Sequence, residues 1–134
     1  FLYCIDLDSG VRIWRYRAAA GIWGTPAVVN GAVYIGDDAG LLHCLDAERG
    51  TRRWTMDLGA GTWASPTVVD GVVVIGDWGG MLHGLHAETG TPIWQREHRE
   101  TYIVSSAAIT DGVIIIGVRD GTVYCLEEAM GDVE

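Results

Sequence analysis

The sequence contains no lysine: its nine basic residues are all arginine, set against 18 acidic ones for a formal charge of −9. A surface of that sign repels phosphate backbones and anionic headgroups, which argues against nucleic acid or an anionic membrane as partner. No apolar run approaches the ~20 residues a membrane helix requires, so membrane insertion by a helix is not expected. Proline and cysteine occur three times each. The cysteines form no Cys-x-x-Cys pattern and the histidines no His-x-x-x-His pattern, which leaves no zinc or other metal site to propose. No Gly-x-Ser-x-Gly nucleophile elbow is present, so no catalytic residue is assigned. Sustained helical periodicity is absent as well.

What the chain has is glycine (19 residues), tryptophan (6) and an apolar content of 49%, enough to bury a core within 134 residues. It also repeats. DLDSGVRIW (Asp6 to Trp14), DAERGTRRW (Asp46 to Trp54) and HAETGTPIW (His86 to Trp94) recur at forty residues, with tryptophan four places after glycine each time. GAVYIGDDAGLLHCLDAERGTRRW from Gly31 aligns without a gap to GVVVIGDWGGMLHGLHAETGTPIW from Gly71, and GVIIIGVRDGTVYCLEEAMG from Gly112 is a third copy after one inserted residue.

Each copy reads as four short strands. TPAVVN and SPTVVD end in Asn-Gly or Asp-Gly, a strong two-residue hairpin signal. AVYIG, VVVIG and VIIIG are continuous apolar runs suited to strands covered on both faces. LLHCLD, MLHGLH and TVYCLE supply a third strand, and RRWTM or PIWQR a fourth. Four strands in ~40 residues, repeated, define a propeller blade. The fold class expected is therefore all-β: an incomplete β-propeller of four-stranded antiparallel blades. Its division is 1–24 (the end of one blade), 25–64 and 65–104 (complete blades) and 105–134 (an incomplete blade). Phe1 aligns with Leu41, and Gly131 predicts a docking tryptophan just beyond Glu134, so both ends are read as cutting through a blade. Closed rings take ~4–8 blades, which leaves two options: a piece of a larger propeller, or two copies of the chain that pool their blades.

The glycine-to-tryptophan spacing resembles the tryptophan-docking motif of the quinoprotein (pyrroloquinoline-quinone, PQQ) β-propeller repeat family. Ala47, Gly50 and Trp54 fill the motif in one copy, and Ala87, Thr89, Gly90 and Trp94 in the next. Leu7 and Glu128 stand in the alanine place of the outer copies. The resemblance implies that Trp14, Trp54 and Trp94 dock blade to blade, with Gly10, Gly50, Gly90 and Gly131 at the turns beneath them. It also implies a periplasmic or extracellular site, whereas free thiols point weakly to the cytoplasm.

Propeller topology puts two loops per blade on one rim. Trp23, Trp63 and Tyr102 are expected there from the first loop type, and Asp37, Asp38, Asp77, Trp78, Arg119 and Asp120 from the second. Aromatic faces beside carboxylates suit a sugar, a peptide or a planar cofactor. The forty-residue recurrence of Trp23 and Trp63 favours inter-blade packing over ligand contact. Trp78 breaks the repeat, its equivalents being Asp38 and Arg119, which marks it as the functional aromatic. The aspartates lack calcium-loop spacing and read as turn formers. Cys4, Cys44 and Cys125 share one register with Gly84 and are expected as buried free thiols, while His43 and His83 share theirs with Tyr3 and Tyr124 as an ordinary strand position.

Two functions follow from the resemblance, with a third reading from the cut ends. The first is a non-catalytic scaffold that binds protein, peptide or glycan on its rim and needs no cofactor of its own. The alternative is a fragment of a PQQ-dependent alcohol or sugar dehydrogenase, with PQQ and Ca²⁺ held by residues outside this chain. The third is an assembly unit that completes a ring with another chain by strand addition.

Overall fold

A computed structural model of the chain describes residues 1–98 and 101–127. Gly131 and Glu128 lie outside the described residues. Thirteen strands and no helix are present among the described residues. They form four separate antiparallel sheets in chain order. The first holds β1 (Leu2–Ile5) and β2 (Arg12–Tyr16). The second holds β3 (Ala27–Val29), β4 (Ala32–Gly36), β5 (Leu41–Asp46) and β6 (Arg52–Asp57). The third repeats that order with β7 (Thr67–Val69), β8 (Val72–Gly76), β9 (Met81–His86) and β10 (Pro92–Glu97). The fourth holds β11 (Ala108–Thr110), β12 (Val113–Gly117) and β13 (Val123–Glu127). Every strand pairs only with its neighbours in sequence, and the sheets do not close into a ring.

The turns have a local cause. Asn30, Asp70 and Asp111 take φ of 50°, 49° and 48°, each followed by a glycine at 73°, 77° and 75°. Two successive positive φ values match the twist of a two-residue hairpin, and asparagine or aspartate before glycine tolerates them at least cost.

The core lies between sheets rather than within one. Leu42, Cys44, Val73, Ile75 and Leu85 pack with Ala32 and Tyr34 between the second and third sheets, and Val74, Leu82, Ile103, Ile114 and Ile116 between the third and fourth. β4 is buried at all five positions, because sheets cover both of its faces, and β8 at all but its first. β12 carries an equally apolar VIIIG, yet its burial alternates, since a neighbouring sheet covers one face only. The same logic corrects the expectation of three buried thiols. Cys44 is buried in the second sheet, Cys4 is half-buried in the two-stranded first sheet, and Cys125 is exposed on β13.

A feature not foreseen from the sequence aims the tryptophans. Cys4 pairs with Trp14 while Ile5 pairs with Arg12, and the same slip recurs between Cys44–Trp54 and Leu45–Arg52, and between Gly84–Trp94 and Leu85–Pro92. One extra residue (Ile13, Arg53 or Ile93) therefore bulges the outer strand immediately before each tryptophan. Such a bulge raises the local twist and re-aims the side chain that follows.

Candidate functional site

The re-aimed indoles link one sheet to the next. Trp14 Nε1 donates to the Ala47 carbonyl at 2.9 Å, and Trp54 Nε1 to the Ala87 carbonyl at 3.1 Å. Each ring lies on a glycine of the following sheet: a β-carbon on Gly50 would stand 2.5 Å from Trp14, and one on Gly90 2.6 Å from Trp54. Both glycines have φ near 70°, at 70° and 75°, so the positions call for glycine twice over. Gly10 sits in the same register at 70° with open space beside it. Trp94 lies on Gly84 of its own sheet, where a β-carbon would stand 2.2 Å away. The small Cys/Gly register of the third strand is thus the floor beneath the docking ring.

Asp37 and Asp77 do not reach the rim surface; they are 0% and 2% exposed. Asp37 Oδ1 accepts the Ala39 and Leu41 amides at 3.0 and 3.1 Å, while Oδ2 accepts the Ala19 amide at 3.1 Å and faces His43 Nε2 at 2.8 Å. Asp77 accepts the Met81 amide at 3.0 Å and faces His83 Nε2 at 2.7 Å. His43 and His83 are accordingly more than ordinary strand positions. In the neutral ring Nε2 carries the proton toward the carboxylate, which leaves Nδ1 to accept from the Tyr16 hydroxyl (2.9 Å) or the Gln95 amide (3.2 Å). Burial pushes the Asp37 carboxyl up, but the His43 hydrogen bond and the Leu41 and Ala19 amides outweigh it and hold the group below the usual carboxylate range. The fourth sheet lacks the pair: Val118 and Tyr124 stand in the two places.

The accessible rim is built by Trp23, Asp38, Trp63 and Trp78. Trp23 Nε1 donates to Asp38 Oδ2 at 2.7 Å and Trp63 Nε1 to Asp38 Oδ1 at 2.7 Å, so one carboxylate clamps indoles from two inter-sheet loops. The ring centroids of Trp23 and Trp63 are 5.7 Å apart, and Trp78 meets Trp63 edge-on at 4.7 Å. Trp23 and Trp63 do connect successive blades, yet they remain 67% and 45% exposed. Trp78, singled out by its break in register, is half-buried, and its buried indole nitrogen has no hydrogen-bond partner among the described residues. Glycines open the space. A β-carbon on Gly21 would stand 2.9 Å from Asp38 Oδ2, and one on Gly61 would stand 2.6 Å from the Asp38 carbonyl oxygen and 3.3 Å from the Trp78 ring.

Tyr102 shares the loop but not the register of Trp23 and Trp63. The amides of Asp38, Trp78 and Arg119 bond the carbonyls of Gly21, Gly61 and Tyr102, which makes Tyr102 the counterpart of the two glycines. Val104, 38% exposed, takes the tryptophan place. The Arg119 guanidinium lies 5.3 Å from the centre of the Tyr102 ring, and Asp120 closes its own turn by accepting the Thr122 amide at 2.8 Å.

Both oxygens of Asp37 and of Asp77 are committed to amides and imidazoles. Among the described residues no three His, Cys, Asp or Glu side chains gather to hold a metal ion. No adjacent cysteine pair exists in the sequence.

Antiparallel sheets of up to four strands in series, with Trp14 and Trp54 each docked on the sheet that follows, make this chain part of a β-propeller of PQQ-like repeats. It belongs to the family described as "Outer membrane protein assembly factor BamB", whose model matches residues 2–134. Among solved structures it is similar to BamB from Moraxella catarrhalis, with 26% identity and a TM-score of 0.77 over 88% of this chain and 37% of that one. It is also similar to the quinohemoprotein alcohol dehydrogenase from Comamonas testosteroni, with 27% identity and a TM-score of 0.67 over 74% of this chain and 17% of that one. Quinohemoprotein alcohol dehydrogenase ADHIIG from Pseudomonas putida HK5 shares the fold, with 22% identity and a TM-score of 0.74 over 85% of this chain and 20% of that one. The chain thus spans well under half the length of these proteins. No curated protein matches it.

Proposed function

We propose that the chain is a non-catalytic set of propeller blades that binds a protein, peptide or glycan on the Trp23–Asp38–Trp63–Trp78 rim. The observation that carries this reading is the exposure of Trp23 and Trp63 on a fixed frame. Folding alone hides large aromatic surface, whereas here hydrogen bonds to Asp38 hold two indoles rigid with 67% and 45% of their area open. Rigid aromatics lose little conformational entropy on binding, which suits them to be anchors. Similarity to BamB supports a protein partner, and the family description supports a site at the outer membrane, on its periplasmic or extracellular side. The blades on either side would come from a longer chain or from a second copy; sedimentation equilibrium at several concentrations separates these, a stable dimer marking the second. An immobilised panel of peptides and glycans tests the binding reading. Signals that disappear in the doubly substituted Trp23→Ala, Trp63→Ala chain support it, and identical patterns for the two chains remove it.

The alternative, a segment of a PQQ-dependent dehydrogenase whose catalytic residues lie elsewhere, has the Comamonas testosteroni similarity in its favour. Titration with PQQ and Ca²⁺ followed by tryptophan fluorescence addresses it directly. Saturable quenching supports the dehydrogenase reading, and its absence removes a cofactor role for these blades.

A further inference from the structure

Asp38 is an acidic group on the rim without a basic partner among the described residues. The hydrogen bonds of its carboxylate come from two indole N–H groups, one on each oxygen. Asp6, Asp57 and Asp120 likewise have no basic partner among the described residues, but each accepts from an amide or hydroxyl of its own turn, whereas Asp38 reaches two indoles of other loops. Asp46 pairs with Arg53 at 2.9 Å, and Asp37 and Asp77 face imidazoles in the interior. Each carboxylate oxygen offers about two acceptor directions, so the clamp leaves one free on Oδ1 and one on Oδ2.

Beside that carboxylate stand Trp23 and Trp63, 67% and 45% exposed. An indole that donates its N–H to a carboxylate lies beside a negative charge, and its ring faces are electron-rich. Both features attract cations, and neither attracts a neutral polyol as strongly. The chain as a whole adds a field of the same sign, at −9. Gly21 is the permissive element, since any side chain there would meet the Asp38 oxygen at 2.9 Å and displace it. The fourth sheet shows the converse arrangement within this chain. Where tyrosine replaces that glycine and arginine replaces the aspartate, the guanidinium lies over the ring, so the loop scaffold brings a cation and an aromatic face together when both are present.

We propose that Asp38, Trp23 and Trp63 form a pocket for the arginine side chain of a partner peptide. The guanidinium fork bonds the two free carboxylate directions, and its plane stacks on an indole. Arginine fits better than lysine because its planar fork serves both oxygens at once and its weaker hydration lowers the cost of stacking. This inference rests on the rim-binding reading and narrows its ligand from protein, peptide or glycan to a basic peptide.

The experiment follows the indole N–H signals of Trp23 and Trp63 by ¹H–¹⁵N spectroscopy of the full chain, assigned with Trp23→Phe and Trp63→Phe. The probes are a blocked Gly-Arg-Gly peptide, its citrulline isostere and chitobiose. The expected result is saturable movement of both signals with the arginine peptide, at an affinity about tenfold or more above that of the citrulline peptide. Added salt weakens it, and Asp38→Asn abolishes the preference. Should Asp38→Asn disturb the fold, the citrulline comparison and the salt series on the native chain decide the matter alone. Equal binding of the arginine and citrulline peptides overturns the inference. Movement with chitobiose alone also overturns it but leaves the rim-binding reading standing. No movement with any probe overturns it too, and the peptide and glycan panel then judges the broader reading separately.

Discussion

The indole of Trp54 rests on Gly90 so closely that a β-carbon there would stand 2.6 Å from its ring. Gly50 stands in the same relation to Trp14, while Gly10, in the same register with the same φ of 70°, has nothing beside it. The three glycines separate two costs that are usually confounded. Alanine at residue 10 meets only the left-handed backbone penalty, about 1–2 kcal/mol. Alanine at residue 50 or 90 adds displacement of the docking ring, about 1–3 kcal/mol more. Urea midpoints at constant slope give the comparison. Equal losses at all three positions would show that the ring contact contributes nothing.

The Ala87 carbonyl accepts two donors, Trp54 Nε1 at 3.1 Å and the Tyr34 hydroxyl at 3.1 Å. Removing either one leaves the oxygen satisfied, so Tyr34→Phe should lose no more than about 1 kcal/mol. Trp54→Phe loses that much again plus some packing. The double variant strands an acceptor on a residue only 8% exposed, and its loss should exceed the sum of the singles by about 0.5–1 kcal/mol. Simple additivity in the double-mutant cycle would mean that the two donors do not share the oxygen.

Asp37 predicts an acid limb. Its carboxyl is held below the usual range by His43 and by backbone amides acting against burial. Folding therefore favours the ionised form. The contribution is complete above the unfolded value of about 4 and disappears as pH falls through the lowered folded value. Asp37→Asn should destabilise by about 2–4 kcal/mol at pH 7, and the gap from the native chain should narrow steadily below pH ~4. Denaturation at pH 7, 5 and 3 measures it; a gap independent of pH would contradict the assignment.

The three thiols should react in order of cover. Cys125 is exposed, Cys4 half-buried and Cys44 buried, with burial raising the Cys44 thiol above its ordinary range. A neutral thiol reagent at pH 8 should modify Cys125 first and Cys4 more slowly, leaving Cys44 until the chain unfolds. Peptide mapping after timed labelling identifies each. Early loss of Cys44 would mean that the second and third sheets separate readily.

Much of this architecture is legible in the sequence because its causes are local or periodic. Asn30–Gly31 and Asp70–Gly71 announce their hairpins from two residues, and the forty-residue return of Trp14, Trp54 and Trp94 marks the blade. The bulge before each tryptophan is invisible, since Ile13, Arg53 and Ile93 have nothing in common but their place. The Asp37–His43 pair left a trace that register alone could have exposed. Aspartate and histidine recur together at residues 77 and 83, and both are replaced together at Val118 and Tyr124. Of the residues expected on the rim, Trp23, Asp38, Trp63 and Trp78 come together, whereas Asp37 and Asp77 are buried. Nothing in the order of residues shows Asp38 gripping two indoles from loops forty residues apart, or Trp78 turned partly inward.

The joint between blades bears on how such a chain changes over generations. What Trp14 and Trp54 grasp on the following sheet is a main-chain oxygen and a bare glycine, neither of which depends on the neighbour's side chains. A duplicated blade would arrive with both halves of the coupling already in place, a hook at one end and a catch at the other. Rings could lengthen or shorten by whole units while the loops on the rim diverge freely.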